Sequence, residues 1–455
     1  MAAHPSSARD RDFCELLARE LICALGCTEP IAVAYAAALA RRALGAEPEM
    51  LEVRCSGNII KNVKSVTVPN SGGMRGVDAA AVLGAVGGDA DGVLEVLGGV
   101  GASDIERARE LLARPGYCEV SLVEGVPNLY IEVYAAGADH VSEVAIADHH
   151  TNIVRCTRDG EPFTPGCPAA RGTGAASCAG SCADAGRAEP RADGSAGAPS
   201  PAFTLGDILE FVRDGDIGGA RAALQRQIDL NDAISREGLA HAWGSEVGRT
   251  LLATRERDTA CRARARAAAG SDARMGGCAL PVAIICGSGN QGITACLPVL
   301  AYAEELGVEG DALLWAVALS DLVAIHVKSY IGALSAFCGV VCAACGAGAA
   351  VTWMSGGTDE QVGATIVNTL GNVGGIVCDG AKASCAAKIS AAVDAAILGH
   401  DMAMAGCGFK AGEGLVKDTV EETIASMGYV GRVGMGPTDV EILNIMIGKT
   451  DIAGC

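Results

Sequence analysis

Aromatic side chains are scarce in this chain: three Trp, seven Tyr and six Phe make up 4% of its 455 residues. An interior filled by large rings is therefore excluded, and small residues must do the packing. Sixty-one glycines and long alanine runs imply helices that approach one another closely. Positive charge is also in short supply. With 35 Lys and Arg against 54 Asp and Glu, the formal charge is −19 and the isoelectric point near 4.8, which argues against nucleic acid or an anionic membrane as partner. The opening Met1-Ala2-Ala3-His4-Pro5-Ser6-Ser7 has no apolar signal region, so a cytoplasmic location is expected.

Cysteine, by contrast, is abundant. Twenty thiols in a long chain expected to stay in a reducing compartment point to metal ligands or inert core residues rather than disulfides. The run Gly375-Ile376-Val377-Cys378-Asp379-Gly380-Ala381-Lys382-Ala383-Ser384-Cys385 draws most interest. On one continuous helix its two cysteines would lie two turns, about 10.8 Å, apart along the axis. A turn at Asp379-Gly380, with Ser384 capping a new helix, would instead fold the sulfurs together. Cys338 is expected in another apolar helix packed against that turn, giving three thiolates for a cluster with one open iron. The competing reading treats all three as small buried hydrophobes. Cys338-x3-Cys342-x2-Cys345 has the spacing of radical S-adenosylmethionine enzymes, but it falls in a run of helical composition, and the strand-helix alternation of a barrel is missing.

Two helices are expected between residues 11 and 44, broken at Gly26-Cys27-Thr28-Glu29-Pro30, with Pro30 in the first turn of the second and Thr28 as its cap. That would leave the Cys27 thiol near helix-terminal amides, a setting that lowers a thiol pKa; a buried structural cysteine is the alternative. Extended segments follow at 51–53 and 66–69, with Lys61, Asn62 and a Gly/Asn loop at 56–58 offering donors to a carboxylate. Residues 78–114 read as helical, and 117–134 and 141–147 as strands ending at His149-His150-Thr151-Asn152. From Cys167 to Pro201 the composition is that of a linker, carrying Cys167, Cys178 and Cys182.

Beyond Thr204 nearly everything reads as helix. The uncharged run from Ile331 to Met354 is long enough to raise a membrane span, but it lacks an aromatic belt and is expected to be a buried central helix. Two polar interruptions, 271–277 and 286–292, suggest a ligand pocket, because polar groups inside an apolar bundle need partners. The second lacks the Lys-Ser/Thr ending of a P-loop and the spacing of a dinucleotide fingerprint.

Taken in order, Gly26-Cys27-Thr28-Glu29-Pro30, Lys61-Asn62, Thr67-Val68-Pro69, His150-Thr151-Asn152, Ser271-Asp272-Ala273-Arg274, Gly287-Ser288-Gly289-Asn290-Gln291-Gly292 and Cys378-Asp379-Gly380-Ala381 resemble the L-cysteine desulfidase family. That family is related to the alpha chain of iron–sulfur L-serine dehydratases. The resemblance implies an α+β N-terminal domain and an all-α C-terminal catalytic domain, serine dehydratase alpha-chain-like. The expected division is N-terminal helices at 1–44 packing on the catalytic domain, an α+β domain at 45–165, a linker at 166–202 and a helical iron–sulfur domain at 203–455. It further implies a lyase that uses a [4Fe–4S] cluster to split L-cysteine into pyruvate, ammonia and hydrogen sulfide. Cys338, Cys378 and Cys385 would be the cluster ligands, and Cys27 a ligand or an acid/base. Lys61, Asn62, Ser271, Arg274, Ser288 and Asn290 would bind the amino acid.

Iron–sulfur L-serine dehydratase is the neighbouring alternative, and an electron-transfer iron–sulfur protein a remoter one. The resemblance leaves room for a homodimer. A terminal Cys455 preceded by glycine offers a further thiolate able to reach an open iron.

Overall fold

The computed structural model describes residues 7–164, 203–332 and 334–450. The expected linker with its three cysteines, and Cys455, lie outside the described residues.

The chain begins with α1 (Ala8–Glu20), opened by a reciprocal capping pair of Ser7 and Asp10. β1 (Ile22–Leu25) and α2 (Thr28–Leu44) follow. Strand β1 was not expected. It is four residues long, and its partner lies far away in sequence, so no local pattern announces it. After α2 come β2 (Met50–Cys55), α3 (Gly57–Val63), α4 (Val77–Gly87), a 3-10 turn at 90–95, α5 (Ala102–Leu112), β3 (Cys118–Leu122), β4 (Tyr130–Gly137), β5 (His140–Ala147), β6 (Ile153–Arg158) and the short β7 (Glu161–Pro162). The sheet order is β3-β2-β4-β5-β6-β7, with β2 and β3 parallel and the other pairs antiparallel.

Helix α2 is buried on almost every side and packs on α4, β4 and β5. It is thus the core helix of the α+β half, where it had been expected on the helical half. Its run of Ala and Val explains this, since small side chains let α2 fit between the sheet and α4. A Cβ on Gly84 would stand 2.2 Å from the Ala34 carbonyl oxygen, so the two backbones nearly touch.

The second half contains α6 (Leu205–Asp214), α7 (Arg221–Ala240), α8 (Val247–Thr254), α9 (Thr259–Met275), β8 (Pro281–Ile284), α10 (Gly289–Leu306), α11 (Gly310–Ser329), α12 (Val340–Met354), α13 (Asp359–Val373), α14 (Cys385–Met404), α15 (Val420–Tyr429), a π turn at 430–434 and α16 (Gly436–Ile447). Helix α12 lies at the centre, packed by α10, α11, α13 and α14. The half is not wholly helical, because β8 pairs antiparallel with β1, Ile22 opposite Ile284 and Leu25 opposite Pro281. This two-stranded ribbon joins the N-terminal region to the helical half.

The uncharged 331–354 run is not one helix. Its first part is irregular, and only 340–354 is helical, too short to cross a bilayer. Among the described residues one helix, α11, is long and apolar enough to do so, and most of it is buried against its neighbours.

Candidate active site

Because β1 and β8 run antiparallel, the turn after β1 and the loop after β8 leave opposite ends of the ribbon, and they meet by folding back along it. After β1 the chain turns at Gly26 into α2. Gly26 has a φ of +59°, and a Cβ there would overlap the Pro69 ring at 2.1 Å, so only glycine fits. Cys27, and not Thr28, occupies the cap position of α2, and no side chain caps the helix. The Thr28 hydroxyl instead donates to the Gly287 carbonyl at 2.8 Å, tying this turn to the loop after β8.

The Cys27 thiol is buried and donates to Glu29 Oε2 at 3.0 Å. Burial and the adjacent Glu29 carboxylate push this thiol well above its ordinary pKa, the reverse of the lowering expected from helix-terminal amides. Glu29 also accepts from Asn62 Nδ2 at 3.0 Å, and its Oε2 lies 3.1 Å from Thr28 Oγ1. Burial pushes its carboxyl up, but nearby His150, the Cys27 thiol and Arg274 outweigh that and hold it below its ordinary value.

The other cysteines converge from the helical half. Cys338 lies two residues before α12, not inside a helix. Its segment runs beside 376–378 as a short bridge, with Cys338 N–H donating to the Ile376 carbonyl at 2.9 Å and Cys378 N–H to the Ala336 carbonyl at 2.6 Å. This pairing sets the two thiols against each other. A hydrogen bond from the Cys338 thiol, with Lys61 and Lys388 contributing, holds the Cys378 thiol below its ordinary value against burial. The expected turn is present at Gly380, whose φ is +92° and whose Cβ would meet the Lys61 carbonyl oxygen at 2.4 Å. Ser384 stands at the cap position of α14 but makes no capping bond, and Cys385 is the first helical residue. Cys27 packs in one small cluster with Val66, Met275, Ala381 and Cys385.

These groups line one cavity of about 490 Å³, reached by Cys27, Glu29, Asn62, Arg274, Ser288, Asn290, Cys338, Cys378 and Cys385 alike. Several polar atoms in its lining are buried with no partner: Asn58 Oδ1, Asn290 Oδ1, Gln291 Oε1 and His150 Nε2. Such atoms are costly unless a ligand completes them. Among the described residues no three His, Cys, Asp or Glu side chains converge as a single-ion site. A donor set of three thiols on one cavity fits an iron–sulfur cluster better than a lone ion.

Residues 214–444 match the family model described as serine dehydratase alpha chain. A UPF0597 protein of Lachnoclostridium phytofermentans is 45% identical over 437 residues, covering 95% of this chain and 98% of its own. Another, from Desulfitobacterium hafniense, is 44% identical over 441 residues and 96% of each chain. A third, from Finegoldia magna, is 44% identical over 442 residues, 96% of this chain and all of its own. The chain belongs to the UPF0597 family. Its helical half is that of serine dehydratase alpha chains, a lyase-type and generally iron–sulfur-associated family.

Two residues expected to bind substrate sit elsewhere in the UPF0597 protein. Lys61 is buried in α3, which had been expected to be a loop, and its ammonium is paired with Asp439 of α16. It lines a second cavity, which shares Asn58, Gly332, Leu334 and Ser335 with the first. Ser271 is wholly buried within α9 and does not reach the main cavity. The polar run 271–274 is the last turn of that helix rather than a loop. Its Asp272 accepts N–H bonds from Gly248 at 3.0 Å and Ser245 at 3.3 Å, so it serves the start of α8, and only Arg274 faces the cavity. Glu29, Asn58, His150 and Gln291 were not singled out from sequence, although three of them fall inside the motifs quoted above.

Burial raises Asp272 to about 6 despite its N–H donors. A carboxyl whose folded pKa is raised contributes stability below its unfolded pKa and loses it as pH rises through the folded value. Wild type should therefore gain about 1–3 kcal/mol relative to Asp272→Asn between pH 7 and pH 4, measured by urea unfolding. A difference that does not change with pH would contradict this.

Proposed function

We propose that this UPF0597 protein is an L-cysteine desulfidase that eliminates hydrogen sulfide from L-cysteine and yields pyruvate and ammonia. The observation that supports the reading most is the convergence of three thiols with unpaired amide carbonyls and a buried guanidinium on a single cavity. Cys338, Cys378 and Cys385 would hold a [4Fe–4S] cluster. When bound, such a cluster supplies a Lewis-acidic iron with one open position for the substrate sulfur.

The rest of the chemistry belongs to the chain. Arg274 Nε donates to the Gly26 carbonyl at 2.9 Å, which fixes the guanidinium plane and leaves its outer N–H groups for the substrate carboxylate. Asn58 Oδ1, Asn290 Oδ1 and Gln291 Oε1 are acceptors without donors, and an α-ammonium supplies the N–H groups they lack. Holding both ends of the amino acid orients its Cα–H and Cβ–S bonds for elimination. Cys27, buried and hydrogen-bonded to Glu29, lines the same cavity as an acid/base group or a further ligand. The aminoacrylate so formed tautomerises to an imine, which water hydrolyses to pyruvate and ammonia.

The family model named for serine dehydratase favours a second reading, in which the same site expels the hydroxyl of L-serine. Soft sulfur suits iron better than a hydroxyl does. Comparing kcat/KM for the two amino acids with anaerobically prepared protein separates the readings. We expect L-cysteine to be preferred by about 100-fold or more, the discrimination a site built around one substrate group can reach. Preference for L-serine would make the protein a serine dehydratase.

A further inference from the structure

The elimination needs a base for the α-proton, and Cys27, whose thiol is the hydrogen-bond donor to Glu29, is poorly suited to that task. We propose that His150 is the catalytic base, with Glu29 as the carboxylate that balances its charge. The inference rests on the lyase reading above.

His150 stands in the turn that follows β5, a turn entered through Asp148 at a φ of +67° and held by His149 N–H donating to the Ala147 carbonyl at 2.8 Å. The turn delivers the imidazole to the cavity from the sheet side. Its ring lies over Gly287, where an added Cβ would meet Cε1 at 3.0 Å, so glycine at 287 leaves room for the ring beside the loop after β8. Nε2 is shielded from solvent, lines the cavity and has no hydrogen-bond partner. An unpaired imidazole nitrogen at a substrate cavity is either a defect or a group waiting for a proton. The surroundings favour the second: Glu29 acts on the ring, while His149 and Arg274 are the other charged groups that bear on it. Burial keeps the free imidazole neutral, with a lone pair for the proton, and the neighbouring carboxylate offsets the imidazolium that forms.

The step balances within the site. The Cα–H bond breaks, its proton goes to His150 Nε2, and its electron pair becomes the Cα=Cβ bond. The Cβ–S bond breaks and its pair leaves on sulfur as hydrosulfide, which takes up the proton held by His150 to become hydrogen sulfide and returns the imidazole to its neutral form. No oxidant, reductant or net proton is required.

The test uses His150→Asn and His150→Ala in the full chain, prepared anaerobically with iron, labile sulfide and absorbance measured first. Both variants should keep the wild-type iron content and bind the unreactive L-alanine within about threefold of wild type, whereas kcat for L-cysteine falls by about 10²–10⁴. Added imidazole should restore part of the activity of His150→Ala and none of that of His150→Asn, a response that a merely structural role would not give. Retention of more than a tenth of wild-type kcat in either variant, or a loss that imidazole leaves untouched in His150→Ala, would overturn the assignment. A wild type that forms pyruvate from neither amino acid would overturn the lyase reading itself, and this one with it.

Discussion

Cys378→Ala should emerge from anaerobic purification with most of its iron gone and with pyruvate formation reduced by at least about 100-fold, since even partners outside the ligand shell cost 10–100-fold. The reasoning is geometric. Cys378 is the hinge of the thiol set: its N–H is fixed by the Ala336 carbonyl, its sulfur is donated to by Cys338, and the turn it begins carries Cys385. Removing it leaves two thiols with no common partner. Cys338→Ala should behave alike. Cys385→Ala is the more informative variant, because Cys27 packs in the same small cluster and is the nearest alternative ligand. Full iron in Cys385→Ala would transfer the third ligand role to Cys27. Cys342 and Cys345 are fully buried inside α12, and their alanine variants should retain all the iron, which would also dispose of the Cys-x3-Cys-x2-Cys reading.

The second large effect is expected at α16. Asp439→Ala should release α16, lowering amide protection across 436–447 by about two orders of magnitude, equivalent to about 3 kcal/mol. Helix α16 buries none of its own residues. It is held to α3 by Lys61 with Asp439 and by Lys64 donating to the Met446 carbonyl. Lys61 is 2% exposed, so removing Asp439 would leave a bare buried ammonium beside the Cys378 turn. Detaching α16 and letting water reach that charge costs less than keeping the helix in place. The double variant Lys61→Met with Asp439→Leu carries no such charge and should keep α16 protected better than Asp439→Ala alone. Unchanged protection in Asp439→Ala would show that α16 docks by other means.

What could be read from the sequence tracks how local each cause is. Helix α14 announces itself through composition and the turn at Gly380 through a glycine between two helical runs, whereas α10 starts at Gly289 inside a stretch expected to be a polar loop. Strands β1 and β8 do not, because each is four residues long and is defined only by the other, some 260 positions away. The same holds for Cys338. Its stretch reads as helix by composition, but the bridge to 376–378 meets its backbone needs and removes it from α12.

In the site, residues carried by motifs were legible as a group, though not by role. Asn62, Arg274, Ser288 and Asn290 line the cavity with the three thiols, while Lys61 and Ser271 occupy the same motifs and face elsewhere. A polar residue in an apolar segment signals a need for a partner and does not say whether that partner is a ligand or the protein. For Asp272 it is the start of α8, and for Lys61 it is Asp439, a residue that nothing in the sequence connects to it.

The most direct measurement is stoichiometric. Protein purified without oxygen is analysed for iron and acid-labile sulfide, given L-cysteine, and followed for pyruvate and hydrogen sulfide together. The account predicts one [4Fe–4S] cluster's worth of iron and sulfide per chain, and pyruvate and hydrogen sulfide released in equal amounts until air destroys the cluster. Colourless, iron-free protein, or iron-loaded protein that forms no pyruvate from L-cysteine, would contradict it.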